Sequence, residues 1–119
     1  MSDVVVTCPQ RLWDDWIDEG VLPGEDDGGM EFHFWFWGLV PKIERSERVY
    51  VVAWGKLRGY APLVRLEQRC RIRPEAHCLV RRAGAVAVTI PDPIRGFRGW
   101  QYRFWKRGSE QPFDDWKTP

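Results

Sequence analysis

Residues 48–67, R-V-Y-V-V-A-W-G-K-L-R-G-Y-A-P-L-V-R-L-E, constrain the fold more than any other stretch of this chain. Val49, Val51 and Ala53 alternate with Tyr50, Val52 and Trp54. After an interruption, Tyr60, Pro62, Val64 and Leu66 alternate with Ala61, Leu63, Arg65 and Glu67. Period-two runs rich in β-branched and aromatic residues are the pattern of strands with two distinct faces. The interruption, Gly55-Lys56-Leu57-Arg58-Gly59, has a glycine at each end to supply unusual backbone angles, and it puts two cations at the tip. The segment therefore predicts an antiparallel hairpin turning over residues 55–59. Pro62 has no N–H to give a ladder, so the second strand must lie at an edge or bulge there.

The flanking sequence predicts more short strands and one helix. V-V-V at residues 4–6 reads as a buried strand. Pro9 then opens a segment to residue 19 in which Leu12/Trp16 and Trp13/Ile17 form one apolar stripe at helical spacing. Residues 23–29, P-G-E-D-D-G-G, form an acidic loop with nothing to bury. In residues 31–37, Phe32, Phe34 and Phe36 share one face, while Glu31, His33, Trp35 and Trp37 share the other. A face with two tryptophans is not wholly solvated, so Trp35 and Trp37 are candidate pocket residues. Later strands are expected at 76–90 and at 95–105, and residues from about 109 form a tail that Phe113 and Trp116 can dock. The fold class predicted is mainly β (α+β): a small, partly closed barrel with one N-terminal helix, all in a single domain.

Charge is distributed unevenly along the chain. Residues 1–31 hold nine acids and one base, whereas residues 42–107 hold sixteen bases, mostly arginine, and five acids. Such a local excess is the footprint of a polyanion-binding surface, unless the acidic third neutralises it within the fold. The three cysteines fall at unrelated spacings, which suits reduced thiols and a cytoplasmic protein. Neither a transmembrane helix nor a signal peptide is expected, so no membrane partner is.

The element order, with E-F-H-F-W after the helix and E-R-V-Y-V-V-A-W-G-K-L-R-G-Y-A-P-L-V-R-L-E in the middle, resembles the ASCH group of PUA-like domains over residues 3–68. Glu31 stands at that family's strand glutamate, and Gly59-Tyr60-Ala61 at its returning strand. No lysine lies between Gly20 and Glu31, His33 takes the place of the family's arginine, and an acidic insertion precedes the strand. The resemblance implies a PUA-like β-barrel and a ligand such as RNA or a modified base. For some members it implies hydrolysis of a modified nucleoside.

Several groups of residues can carry such chemistry. Glu31 and His33, about 7 Å apart on one strand face, can act as base and orienting partner if the protein is an enzyme. The alternative is that Glu31 pairs with an arginine. Lys56 and Arg58 at the hairpin tip, with neighbouring Tyr60, offer phosphate contacts and a stacking ring. Arg98 and Arg103, interleaved with Trp100 and Tyr102, combine charge with stacking surface. Cys70, His77 and Cys78 have spacing C-x6-H-C, which lacks a fourth ligand and a C-x2-C knuckle, so no metal site is expected. No cofactor motif is present. The expected function is binding of RNA or a nucleotide. Hydrolysis of a modified nucleoside and docking of an acidic protein partner are the alternatives.

Overall fold

A computed structural model describes residues 2–12, 31–82 and 86–118. Its strands are β1 (Val4–Thr7), β2 (Glu31–Phe36), β3 (Arg48–Ala53), β4 (Lys56–Glu67), β5 (His77–Arg82), β6 (Val88–Thr89), β7 (Trp100–Tyr102) and β8 (Gln111–Pro112). Six of them form one sheet in the order β2-β5-β4-β3-β1-β7, curled into a half-barrel, and β6 and β8 form a separate two-stranded ribbon. The mainly β expectation holds. No α-helix occurs among the described residues. Where a helix is predicted over residues 9–19, Gln10–Leu12 form one 3-10 turn, and the rest of that segment, like the acidic loop at 23–29, lies outside the described residues.

The sheet is built on the predicted hairpin, with a different turn. Ala53 pairs with Lys56, so the loop is the two residues Trp54 and Gly55, with φ of 52° and 72°. Positive φ at both central positions matches the twist of the two strands in a tight hairpin. Residues 56–59, predicted as the tip, belong instead to β4. The register slips between Val51 and Val52, whose partners are Gly59 and Leu57, so Arg58 is the extra residue of a β-bulge. Pro62 pairs with Arg48 where the β3 ladder ends, and from Leu63 the strand pairs with β5. A missing N–H costs least at such a hand-over.

β1 and β3 are apolar on both faces because both faces are covered. On one face Val4, Val6, Val49, Val51, Leu63, Leu79, Phe36 and Ile43 form the larger core, with Phe34 and Trp100 packed against it. On the other, Val5, Tyr50, Val52, Leu57, Ile90 and Ile94 form a second core. A third small cluster, Cys70, Cys78 and Val80, lies behind β5. Each fully buried valine contributes about 1.5–3 kcal/mol relative to exposure.

The C-terminal segment is fastened to this sheet. Arg58 is fully buried, and its Nε donates to the Ala53 carbonyl at 2.8 Å. One terminal nitrogen of the same guanidinium donates to the carbonyls of Thr118 at 2.6 Å and Trp116 at 3.3 Å. Its Cζ lies 5.4 Å from the centre of the Phe113 ring, and Trp116 is buried. Burial pushes the Arg58 pKa down. Further along, the Glu110 carboxylate accepts from Tyr50 Oη at 2.6 Å, Trp105 Nε1 at 2.8 Å and the Arg48 guanidinium at 3.0 Å.

Candidate functional site

The face of β2, β5 and β4 away from the larger core is where chemically active side chains gather. β2 is an edge strand of the six-stranded sheet and pairs with β5 so that Trp35 is opposite Cys78 and His33 opposite Val80. β5 pairs with β4 so that Cys78 is also opposite Glu67, and Val80 opposite Arg65. Residues directly opposite share a face. Three strands that are distant in sequence thus bring Glu31, His33, Trp35, Cys78, Arg65 and Glu67 to one surface.

Arg65 is the electrostatic centre of this surface. Its guanidinium reaches Glu31 at 3.0 Å and Glu67 at 2.6 Å. The hydrogen bond from Arg65 holds the Glu67 carboxyl below the usual carboxylate range, against the cost of burial, and the Arg71 backbone N–H adds to the effect. Glu31 is therefore in an ion pair, the alternative considered for it above. Burial raises the Cys78 thiol pKa, and the neighbouring Cys70 thiol, within hydrogen-bonding reach, raises it further. Ligand atoms of His33, Glu67 and Cys78 lie within 4.8 Å of one another. His77, grouped with the cysteines by sequence spacing, faces elsewhere: its Nδ1 is 2.6 Å from the Gln68 carbonyl and its ring packs on Phe36.

At the end of the same face, Trp35 and Trp37 are 39% and 57% exposed. The Arg73 guanidinium lies over both indoles, 5.2 and 5.3 Å from their ring centres, and the Glu75 carboxylate accepts its Nε at 2.8 Å. Arg69, Arg71 and Ile72 are exposed on the same loop.

The other predicted contacts do not converge. Arg58 is shut off from solvent, so it cannot meet a phosphate, and the bulge at that position is the cause. Tyr60 is half-buried beneath the Arg48 guanidinium, 4.0 Å above its ring, and beside Tyr50. Lys56 is exposed, with its ammonium 6.0 Å from the Phe113 ring. Trp100 packs on the larger core and donates its Nε1–H to the Leu39 carbonyl at 2.8 Å, while the Tyr102 hydroxyl accepts the Lys42 N–H at 2.9 Å. Arg98 is exposed. Arg103 donates to Asp3 at 3.0 Å, and Arg107 to the same carboxylate at 2.8 Å. Asp3 is buried, which raises its pKa. The Arg48 backbone N–H and the two arginines outweigh that and hold the carboxyl below its ordinary value. Asp3, Arg103 and Arg107, with Glu47 and Ser2, line a polar hollow of about 210 Å³. Part of the basic excess is thus neutralised within the fold.

Alternation puts Trp35 and Trp37 on one strand face, whereas the only local signal for their partner Arg73 is the basic run R-C-R-I-R at 69–73. No protein-family model matches this chain, and comparisons with curated proteins and with solved structures give no match. No helix among the described residues is long and apolar enough to cross a membrane.

Proposed function

We propose that this protein binds single-stranded nucleic acid, most favourably RNA, on the face formed by Trp35, Trp37 and the arginines of residues 69–73. The observation that carries the reading is the Arg73 guanidinium spread over two exposed indoles. Flat rings with a cation against them stack bases regardless of sequence, and each stacked base is worth about 1–3 kcal/mol. Arg69 and Arg71 are exposed on the same loop as Arg73, and Arg71, although its Nε is 3.9 Å from Glu67, stays largely in solvent, so both can meet phosphates, where guanidinium geometry fits best. The resemblance to ASCH-type PUA-like domains favours the same ligand class. Relative to the sequence-based expectation, the stacking platform moves from Trp100 and Tyr102 to the edge strand β2. The hydrolase alternative has less support, because Glu31 is held by Arg65 and offers no unengaged carboxylate as a base.

The test is titration of a labelled single-stranded RNA by fluorescence anisotropy at several salt concentrations. Trp37→Ala should weaken binding roughly 5- to 150-fold at every salt concentration. Arg71→Ala should lower the salt slope by about 0.7 for the one phosphate contact removed. If RNA, single-stranded DNA and free nucleotides all fail to bind at low salt, the proposal is wrong. Loss of binding in Arg98→Ala but not in Trp37→Ala would move the site to the other end of the sheet.

A further inference from the structure

The geometry points to a divalent-metal site for a thiophilic cation such as zinc, with His33, Glu67 and Cys78 as its three protein ligands. Their donor atoms already lie within 4.8 Å of one another. Zinc bonds of about 2.0–2.3 Å in tetrahedral geometry require donors about 3.3–3.8 Å apart, so closure needs only side-chain shifts of about 1 Å. Imidazole, thiolate and carboxylate together are zinc's usual donor types. The backbone fixes the set, since Glu67 and Cys78 are direct cross-strand partners and His33 is one diagonal step away, beside Trp35.

Burial and charge agree with this assignment. Cys78 is closed to solvent, whereas His33 and Glu67 are partly exposed, so the donor set lies where the interior meets the surface. Three protein ligands is the number found in zinc sites whose fourth ligand is water or substrate. Cys78 would ligate as thiolate, its proton passing to solvent as the metal–sulfur bond forms. With that thiolate, Glu67 and Glu31 against Arg65 and the Arg71 guanidinium 3.9 Å from Glu67, the groups leave one net negative charge, which favours a cation. The Arg65 guanidinium and the Arg71 N–H orient the Glu67 carboxylate, as outer-shell donors do around metal ligands. A carboxylate has about four acceptor sites, so Glu67 keeps capacity for a metal after those two bonds.

The proposal does not depend on nucleic-acid binding, because neither Trp37 nor residues 69–73 supply a ligand. The full chain, stripped with a chelator, should be titrated with cobalt(II) and then zinc. One equivalent of cobalt should give the visible bands of a tetrahedral ion and a sulfur-to-cobalt charge-transfer band, both removed by zinc. His33→Ala should weaken cobalt binding more than about 100-fold, since even an outer-shell partner is worth 10- to 100-fold. His77→Ala, whose imidazole faces elsewhere, should bind as the parent does. Cys78→Ser should lose the charge-transfer band. As Cys78 is wholly buried, its circular dichroism must first show a folded chain, and if it does not, the half-buried His33 variant decides. Cobalt binding without a charge-transfer band, or equal affinity in His33→Ala and the parent, overturns the assignment.

Discussion

Arg58→Met offers a direct measure of how the C-terminal segment is held. Methionine keeps most of the arginine stem and removes the guanidinium. Two hydrogen bonds of 2.6 and 2.8 Å and a longer one of 3.3 Å are lost. A hydrogen bond from a charged donor contributes about 1.5–3 kcal/mol, so the two short ones sum to roughly 3–6 kcal/mol. Part of this returns, because burying a charged guanidinium is itself costly. Some is then lost again, as Trp116 loosens and gives up part of its burial, worth up to about 3 kcal/mol. The net expectation is a destabilisation of about 3 kcal/mol. For a chain of this length that is a fall in Tm of roughly 10–15 °C. Thermal unfolding by circular dichroism gives the first number, and hydrogen exchange at residues 113–118 shows whether the segment frays. A Tm within about 3 °C of the parent, with those residues still protected, would refute the argument. So would an unchanged Tm with a reduced salt slope for RNA, which would make Arg58 a phosphate contact after all.

Two further outcomes follow from single residues. Asp3 has a pKa below its ordinary value of about 3.9, so its contribution is complete above that pH and is lost as pH falls through the lower folded value; Asp3→Asn should therefore flatten the acid limb of a stability–pH profile below about pH 4 while lowering stability at neutral pH. Gly59→Ala would put a methyl 2.6 Å from the Val86 carbonyl oxygen, a backbone atom, so the Tyr60–Val86 bridge must move apart, with an expected loss of about 1–3 kcal/mol in denaturant unfolding.

What could be read from the sequence was local periodicity. The alternation in residues 48–67 located β3 and β4, H-C-L-V-R-R located β5, and the three phenylalanines located β2. The turn was misplaced because two glycines bracket residues 55–59, whereas the chain turns on Trp54-Gly55, and tryptophan at positive φ carries no turn signature. That shift of a few residues, together with the bulge, reversed the meaning of Arg58 from a tip cation to an interior anchor. The expected strand at 95–105 shortened to Trp100–Tyr102. At the site, two tryptophans on one strand face were legible from alternation alone. Their link to Arg73, and the meeting of His33, Glu67 and Cys78, depend on the registers of β2 on β5 and β5 on β4. No local pattern encodes those registers. The cancellation of charge is non-local as well: Asp3 meets Arg103 and Arg107 across about a hundred residues of chain.

The placement of β1 has a kinetic consequence. It lies between β3, its parallel neighbour, and β7, whose residues 100–102 are far away along the chain. The β3–β4 hairpin closes through a two-residue loop and can form within microseconds, but β1 must wait for encounters across about 45 residues on one side and about 100 on the other. In that interval V-Y-V-V-A of β3 shows a bare apolar edge, which is the kind of template that recruits a second chain. The rate at which Val4, Val5 and Val6 reach their slot therefore governs how the chain divides between folding and self-association, and refolding yield should drop as protein concentration rises.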